Sequence, residues 1–478
     1  MTTNRRAFLK GSGLLAAAAA LRPAKAAEGS SQTAYSASVV VVGGGPSGVC
    51  AAIAAARNGA DVLVLEQGNC LGGMGTRGLV GPFMTCYDKT GETMVIRGLF
   101  EEIVDRLVAC GGAVHPKDVH GGTSFTAWIT RGHDHCTPFD PEALKFVLDD
   151  LCAEAGVKVL YHADFVKPVM EGDRITGVEI LTKKGIERVA AKIVVDATGD
   201  GDVACRAGAP CTLGDPTRNG AMQPCTLFFR IGNLPEKVVQ DDYDAHKGGM
   251  KNRLYSWYVK QAIKDGVWHV PRPHINIYRG VKDDEWFVNC SRLSGVNAVE
   301  PQSLSDAETE GRRQVREILG LFRRYVPGGK GVRLLSTAST LGIRESRHVE
   351  GEYVLDRDDV VEGRVPADSV MVCASSIDLH GGTGKWGTKY EMIKNGNWYG
   401  VPYRCLVPKK VEGLLVTGRC VSATSLAAAA IRVMPPAMAL GQAAGTAAAL
   451  CVKTGSSPRA LDAAKLVATL KSQKAFLG

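Results

Sequence analysis

The chain has 478 residues, 45% of them hydrophobic, enough to bury a large core and to suggest two or three structural units. It carries 57 Lys and Arg against 49 Asp and Glu; positions 1–26 hold five of the basic residues and no acidic one, which leaves 52 against 49 in the remainder. So even a balance gives no support to nucleic-acid binding, and no later stretch of about 18 uninterrupted apolar residues offers a membrane span.

The first segment, NRRAFLKGSGLLAAAAALRPAKA (residues 4–26), sets Arg5 and Arg6 ahead of Phe8, Leu9 and Lys10, then an Ala-rich run and the ending Ala24-Lys25-Ala26. The apolar run from Leu14 to Leu21 is too short for a bilayer, which takes about 20 residues, and the order of parts resembles a twin-arginine export signal with its cleavage site. Residues 1–26 are therefore expected to be an address that is removed, and the mature protein to be periplasmic or otherwise exported. That route carries folded proteins. Fourteen cysteines would ordinarily suggest disulfides in an exported chain. A chain that folds in a reducing cytoplasm cannot rely on them beforehand, so most are expected to be buried small hydrophobes. No Cys-x-x-Cys pair occurs, which argues against iron–sulfur clusters and cysteine-rich zinc sites.

Residues 38–67, SVVVVGGGPSGVCAAIAAARNGADVLVLEQ, read as a β-branched strand (Val39 to Val42), a glycine loop, an Ala-rich helix (Val49 to Asn58) and a second strand (Asp61 to Leu65) ending at Glu66. Within Gly43-x-Gly45-x-x-Gly48, Gly43 permits the tight turn, Gly45 lets the backbone approach a pyrophosphate, and Gly48 allows close helix–strand packing. Pro46 and Ser47 open the helix, whose N-terminus presents unpaired N–H groups to the anion. Glu66, about 20 residues beyond the loop, is placed to accept hydrogen bonds from an adenosine ribose, with Gln67 beside it, and its charge disfavours a 2′-phosphate. Strand, loop, helix and acid together indicate a dinucleotide without choosing between NAD and FAD.

Further along, RGHDHCTPFD gathers His133, His135 and Cys136, but the spacing is not a usual zinc pattern and no metal is expected. A helix is expected from Pro141 to Ala155, a short strand from Val157 to Tyr161, and a strand within Arg188 to Ala204 that runs into Ala197-Thr198-Gly199. Residues 209–332 offer two strands, in PCTLFFRIGNLP and EWFVNCSRLSG, and two amphipathic helices, in NRLYSWYVKQAIKDG and DAETEGRRQVREILGLFRRYVPGG. Trp257, Tyr258, Trp268 and Trp286 either line a site there or fill its core, and the core reading is favoured. Leu414 to Leu450 gives a strand, then Gly418-Arg419, then a helix starting near Pro435-Pro436 and built almost wholly of small residues, Gly441 among them. The tail after Lys453 reads as a helix.

These segments together resemble the bacterial FAD-dependent oxidoreductases of the glutathione-reductase-like FAD fold. The resemblance rests on the Gly43 loop, on Gly342 to Arg347 with Gly351 to Tyr353, on Asp378 to Gly381, on Pro402 to Lys409 and on Gly418 to Ala448, and covers roughly residues 38–110, 140–208 and 333–452. It implies an α/β architecture: a Rossmann-like FAD-binding domain (residues 36–208 and 376–452) interrupted by an α+β substrate or cap domain (209–375, with 333–375 partly at the flavin), then a C-terminal helix or tail (453–478). It implies FAD as cofactor, with Gly72, Gly73, Thr76, Ala197, Thr198, Gly199, Gly418, Arg419 and Gly441 beside the loop residues as candidate contacts. The positive end of the Pro436 helix would face the flavin pyrimidine oxygens.

Hydride transfer at a flavin leaves the protein to orient a substrate and manage one proton. His380, in SIDLHGGTG, is placed to be that acid or base, or is a loop histidine with a structural bond. Arg344, Arg347, His348, Arg404 and Arg432 form a cationic group able to bind a carboxylate or an enolate if several converge; Arg347 and His348 equally fit a strand edge. Cys70 stands where disulfide reductases of this fold carry a redox-active cysteine, but Gly75 occupies the partner's position, so a dithiol mechanism is not expected. Three readings follow. The first is an exported dehydrogenase of a small polar molecule that passes electrons to a separate acceptor. The second is a reductase of an activated double bond served by a separate donor. The third is a flavin-carrying electron-transfer subunit, which the large insertion disfavours.

Overall fold

A computed structural model describes residues 33–84, 86–130, 132–246, 253–381 and 388–478. The expected export signal lies outside the described residues. Four segments with β-branched runs form the parallel heart of the fold. Thr33–Val42 pairs with Val62–Glu66 on one side and with Gly185–Asp196 on the other, and Lys158–Tyr161 extends the sheet beyond Val62–Glu66. Val39, Val41, Val62, Val64, Ile193 and Val195 face one core, while Val40, Val42, Leu63, Leu65 and Val194 face another. Burial on both faces is why these strands read as continuous apolar runs rather than as an alternation.

The strand Gly185–Asp196 does two jobs along its length. Its first half forms an antiparallel meander with Arg174–Thr182 and Asp164–Glu171, and its last residues pair in parallel with Leu414–Val416, which returns from far down the chain. Between these two partners the chain builds a second unit with its own core. An antiparallel sheet in the order Arg333–Thr337, Phe229–Gly232, Trp286–Asn289, Asn276–Arg279 packs Phe229, Ile231, Ile277, Trp286 and Val288 against Val315, Ile318 and Phe322 of the helix Pro301–Tyr325. Trp268 and Trp286 are buried there, their ring N–H groups donating to the carbonyls of Arg272 and Leu234. That is the core role expected of them.

Helix starts fall earlier than the apolar pattern suggests, because proline sets them. The loop helix is Pro46–Arg57 rather than Val49 to Asn58, and the cap helix begins at Pro301, both with proline in the first turn, where its missing N–H loses nothing. The helix Pro141–Ala155 has the bounds expected, capped by the Asp140 side chain and ended by Gly156 in the left-handed conformation.

The helices Pro46–Arg57 and Met434–Thr454 lie backbone against backbone. A Cβ on Gly441 would stand 2.1 Å from the Ser47 carbonyl oxygen, and one on Gly445 would stand 1.9 Å from that of Ala51. Small residues are thus a steric demand at this crossing. Gly445→Val should destabilise the protein by about 1–3 kcal/mol, read as a lower urea midpoint; an unchanged midpoint would show that the helices can move apart freely.

Candidate functional site

One cavity of about 1370 Å³ joins the two units. On the sheet side it is lined by the ends of the parallel strands and their loops: Gly43, Gly45, Pro46, Ser47, Glu66, Gln67, Gly73, Ala197, Thr198, Gly199, Gly418 and Arg419. Twelve of the expected cofactor residues therefore meet in one place, at the C-terminal ends of the strands. The other four serve the fold around it: Gly72 turns the chain at a φ of +95°, where a Cβ would stand 2.7 Å from Thr76 Cγ2. A Cβ on Gly48 would strike the Gly43 carbonyl oxygen at 1.8 Å, Gly441 packs on Ser47, and Thr76 donates to the Leu71 carbonyl at 2.7 Å.

Gly45 is different from its neighbours in the loop. Its φ of −69° and ψ of −177° suit any residue, and a Cβ there would meet nothing within 4 Å. Neither a strained backbone nor a close neighbour asks for glycine there, so a side chain at this position would project into space that the cavity keeps open. Gly45 caps the loop helix without any side-chain hydrogen bond, leaving helix N–H groups free for an anion. Glu66 is 5% exposed and accepts from Gly44 N–H (2.8 Å), Gly68 N–H (2.6 Å) and Arg77 (3.1 Å). A carboxylate offers about four acceptor positions, so one remains for a ribose hydroxyl. Val433, Met434 and Ala437 bring the start of the returning helix to the same cavity. These groups fit a dinucleotide: free N–H groups for its pyrophosphate, a carboxylate for its ribose, and a positive helix end for its ring system.

Facing them, Arg344, Arg432, Asp378 and His380 line the cavity. His380 Nε2 lies 3.3 Å from Asp378 Oδ2, its Nδ1 is 3.2 Å from Thr388 Oγ1, and Arg432 donates to the Asp378 carbonyl at 3.2 Å. Arg344 donates to the Pro224 carbonyl and to Thr226 Oγ1. Burial, and then the charge of Arg344, push the His380 imidazole down to about 4, with Asp378 offsetting only part of the effect, so it is neutral at neutral pH. Burial raises the Asp378 carboxyl, but the His380 hydrogen bond and the Arg432 and Arg344 charges outweigh it and keep the group ionised. Burial, followed by the charges of Arg432 and Arg272, weakens the hold of Arg344 on its proton, yet a guanidinium stays charged throughout the working range.

Several expected residues stand elsewhere. Arg404 does not reach the cavity: it is 49% exposed, paired with Asp368 at 2.9 Å and laid over the Tyr353 ring. Its side chain is spent on a surface ion pair. Arg347 lines the cavity but is held by Asp202, and His348 is buried against Glu345, both on a short strand paired with Cys211–Leu213. Cys70 is buried 3.7 Å from Thr76 Oγ1. The 133–136 stretch is dispersed, with His133 at the cavity, His135 stacked on Tyr87, and Cys136 against the Phe125 carbonyl. Eleven of the twelve free cysteines are buried, as small hydrophobes are; Cys205 and Cys211 depart from that pattern by forming a disulfide.

Sequence reasoning missed the cap's contribution: Arg253, Arg272, His274, Asn276, Tyr278 and Asn289. Four of these alternate in RPHINIYR, with the fully buried Ile275 and Ile277 between them. The period of two was the available signal. Among the described residues no three His, Cys, Asp or Glu gather as a metal site, and no helix is long and apolar enough to cross a membrane.

Fold and site define an α/β protein with a dinucleotide-shaped cavity and an acid–base pair on its wall. Residues 38–470 match the family described as FAD dependent oxidoreductase, and the chain belongs to that family. It is an FAD-dependent oxidoreductase enzyme. Among curated relatives it is 26% identical over 196 residues to a digeranylgeranylglycerophospholipid reductase of Methanococcoides burtonii, covering 41% of this chain and 44% of that protein. It is 30% identical over 195 residues to a thiamine thiazole synthase of Aeropyrum pernix, covering 38% and 62%. The matched region is thus less than two thirds of either relative's length. Among solved structures, a geranylgeranyl bacteriochlorophyll reductase-like protein of Thermoplasma acidophilum is 13% identical, with a TM-score of 0.43, over 93% of this chain and 84% of that one.

Gly45→Val, which would set a branched side chain over the helix N-terminus inside the cavity, should bind FAD about tenfold or more weakly, measured by fluorescence titration of the apoprotein, with only the small loss of thermal midpoint that a valine N-cap brings. Tight FAD binding by that variant would remove Gly45 from the cofactor path.

Proposed function

We propose that the protein dehydrogenates a small polar substrate at an alcohol, amine or saturated carbon and passes the electrons to a separate acceptor. The carrying observation is the neutral His380, tied to Asp378 inside the same cavity as the glycine loop. Bound FAD supplies the two-electron hydride chemistry. With Nε2–H donating to the Asp378 carboxylate, Nδ1 is the basic atom and accepts from the Thr388 hydroxyl on the cavity wall, so the substrate's hydroxyl or amine proton passes to Thr388 Oγ1 as that hydroxyl gives its own proton to Nδ1. Asp378 fixes the ring and stabilises the charge it gains. Arg344 and Arg432 orient the substrate and steady negative charge on it. Ala197, Thr198, Gly199, Gly418 and Arg419 hold the cofactor face, the last through Asp200 at 2.6 Å and the Gly199 carbonyl.

Electron flow in reverse, reducing an activated double bond with electrons from a separate donor, is the second reading. The pairing of Arg344 with Arg432 on one cavity wall favours it, as does the reductase among the partial relatives. We further infer an FAD fold of the glutathione-reductase type, with residues 209–375 as the interrupting cap; the return of Leu414–Val416 to the parallel sheet supports this.

Export is the remaining part of the proposal. A cofactor made in the cytoplasm and held without a covalent bond requires folding before transport, which suits the Arg5-Arg6 segment. The Cys205–Cys211 disulfide supports an oxidising destination.

Anaerobic addition of polyols, amines and hydroxy acids to the purified flavoprotein should bleach the flavin band with one class of compound. Reoxidation of the reduced protein by an unsaturated acid, with no donor bleaching it, would put the reductase reading first. His380→Gln and Arg344→Met should each lower turnover by about 10²–10⁴-fold, and losses of only a few-fold would refute the site. Because protonation disables His380 only near pH 4, kcat/KM should hold as pH falls through the ordinary histidine range near 6.5 and decline around 4. An acid limb at 6.5 that vanishes in His380→Gln would show the imidazole to be far less buried in function. Replacing Arg5 and Arg6 together by lysine should trap FAD-loaded protein in the cell; undiminished export would rule out the twin-arginine route.

A further inference from the structure

We propose that the cavity face of the cap sheet is a carboxylate-binding subsite, in which Arg272, His274, Asn276 and Asn289 hold an acid group of the substrate. The inference rests on the oxidoreductase reading above and adds the substrate's chemical class.

The first support is the alternation itself. Arg272, His274, Asn276 and Tyr278 line the cavity, while Ile275 and Ile277 are fully buried in the cap core. Within the strand Asn276–Arg279 successive side chains take opposite sides, so Asn276 and Tyr278 share the cavity face, and Arg272 and His274, in the bend that leads into the strand, line the same cavity. Asn289 stands directly across from Asn276 on the neighbouring strand, and Phe287 across from Tyr278. Two amides and a guanidinium thus share a platform that a packed core did not require.

The second support is what these groups lack. Arg272 is 8% exposed, yet among the described residues its Nε has no hydrogen-bond partner; nor do His274 Nδ1 and Asn289 Oδ1. Buried polar atoms are normally satisfied, and a buried guanidinium without a counter-ion is more unfavourable still. Charge completes the argument. Arg253, Arg272, Arg344 and Arg432 line this part of the cavity, and Asp378, their acidic neighbour, is already engaged by His380 and Arg432. Burial, then the charges of Arg272, Arg253 and Arg292, push His274 down to about 3, so it stays a neutral partner and adds no charge. The geometry therefore offers an excess of positive charge, a planar two-pronged donor and flanking amides. A carboxylate matches the plane of a guanidinium and accepts from it through both oxygens. Asn289 Oδ1 would take a donor beside that carboxylate, such as a hydroxyl.

Isothermal titration of the FAD-loaded protein with lactate, malate, gluconate and benzoate, each set against its neutral amide, and with inorganic phosphate, tests this. At least one acid should bind about tenfold or more tightly than its amide, and Arg272→Met should erase that preference while Arg272→Lys keeps part of it. Asn289→Leu, which keeps the side chain's size, should weaken the same acid and carries the test if Arg272→Met does not fold. The inference is overturned if no acid outbinds its amide, if Arg272→Met binds acids as the wild type does, or if phosphate outbinds every acid. A neutral compound that bleaches the flavin where no acid binds would overturn the subsite alone. An acid that binds by way of Arg272, in a protein whose flavin no donor reduces and no acceptor reoxidises, would overturn the oxidoreductase reading and leave the subsite standing.

Discussion

The site depends on one close approach, the crossing of the loop helix and the returning helix at Ser47 and Ala51. Helices that meet through ordinary side chains stand about 8–10 Å apart. Here Gly441 and Gly445 leave room for no side chain at all, and Gly418 presses equally close to Ser47, its absent Cβ 2.6 Å from the hydroxyl oxygen. That closeness lets Leu414–Val416 join the edge of Gly185–Asp196 and sets the start of the helix Met434–Thr454 against the cavity that the glycine loop opens. Residues separated by most of the chain then act as one wall. A larger residue at the crossing would displace Arg432 and Val433 along with the helix they precede, so the packing constraint is also a constraint on the chemistry.

The same dense packing explains why the charges in the cavity matter. A guanidinium in bulk water needs no partner, but one enclosed by protein does, and the chain meets that need unevenly. Arg419 and Arg347 have Asp200 and Asp202, so they act as struts between the Gly199 turn and the 343–347 segment. Among the described residues Arg344 has only neutral acceptors, and Arg432 shares Asp378 with His380. Paired arginines hold the frame; incompletely paired ones remain available to a ligand. The distinction separates structural cations from functional ones by their counter-ions rather than by their place in a motif.

How far the sequence was legible follows the same line. The glycine loop and Glu66 were readable because their work is local: a turn, a helix start and an acid at fixed spacing. The helix Pro141–Ala155 was readable to the residue because both its ends carry their own signals, Asp140 and Gly156. Arg404 misled because an arginine in a recognisable motif says nothing of its counter-ion, and Asp368 is a neighbour only after folding. The RPHINIYR segment, whose second half is the strand Asn276–Arg279, was passed over for the opposite reason. An alternation of polar and apolar residues ordinarily means one face in water, and nothing in the eight residues distinguishes water from the inside of a cavity. Only the opposing wall, supplied by Arg344, His380 and Arg432, turns that polar face into a binding surface.

That opposing wall also bears on why the cap is inserted where it is. The chain leaves the parallel sheet after Asp196 and returns to it at Leu414, and those two strands are hydrogen-bonded neighbours. The two strands run parallel, so the insertion leaves from the C-terminal end of Gly185–Asp196, where an open α/β fold places its ligand, and re-enters at the N-terminal end of Leu414–Val416, which carries the chain back to that edge at Gly418 and Arg419. The cap therefore starts directly from the cavity edge of the parallel sheet, and its own sheet presents a polar face to the cavity while its apolar face closes on the helix Pro301–Tyr325. In that arrangement substrate recognition would change with the cap strands, while Gly43, Gly45, Glu66 and the returning helix would keep the cofactor in place. On the function proposed above, the topology divides the labour: the sheet would hold the cofactor, and the insertion would hold what distinguishes one substrate from another.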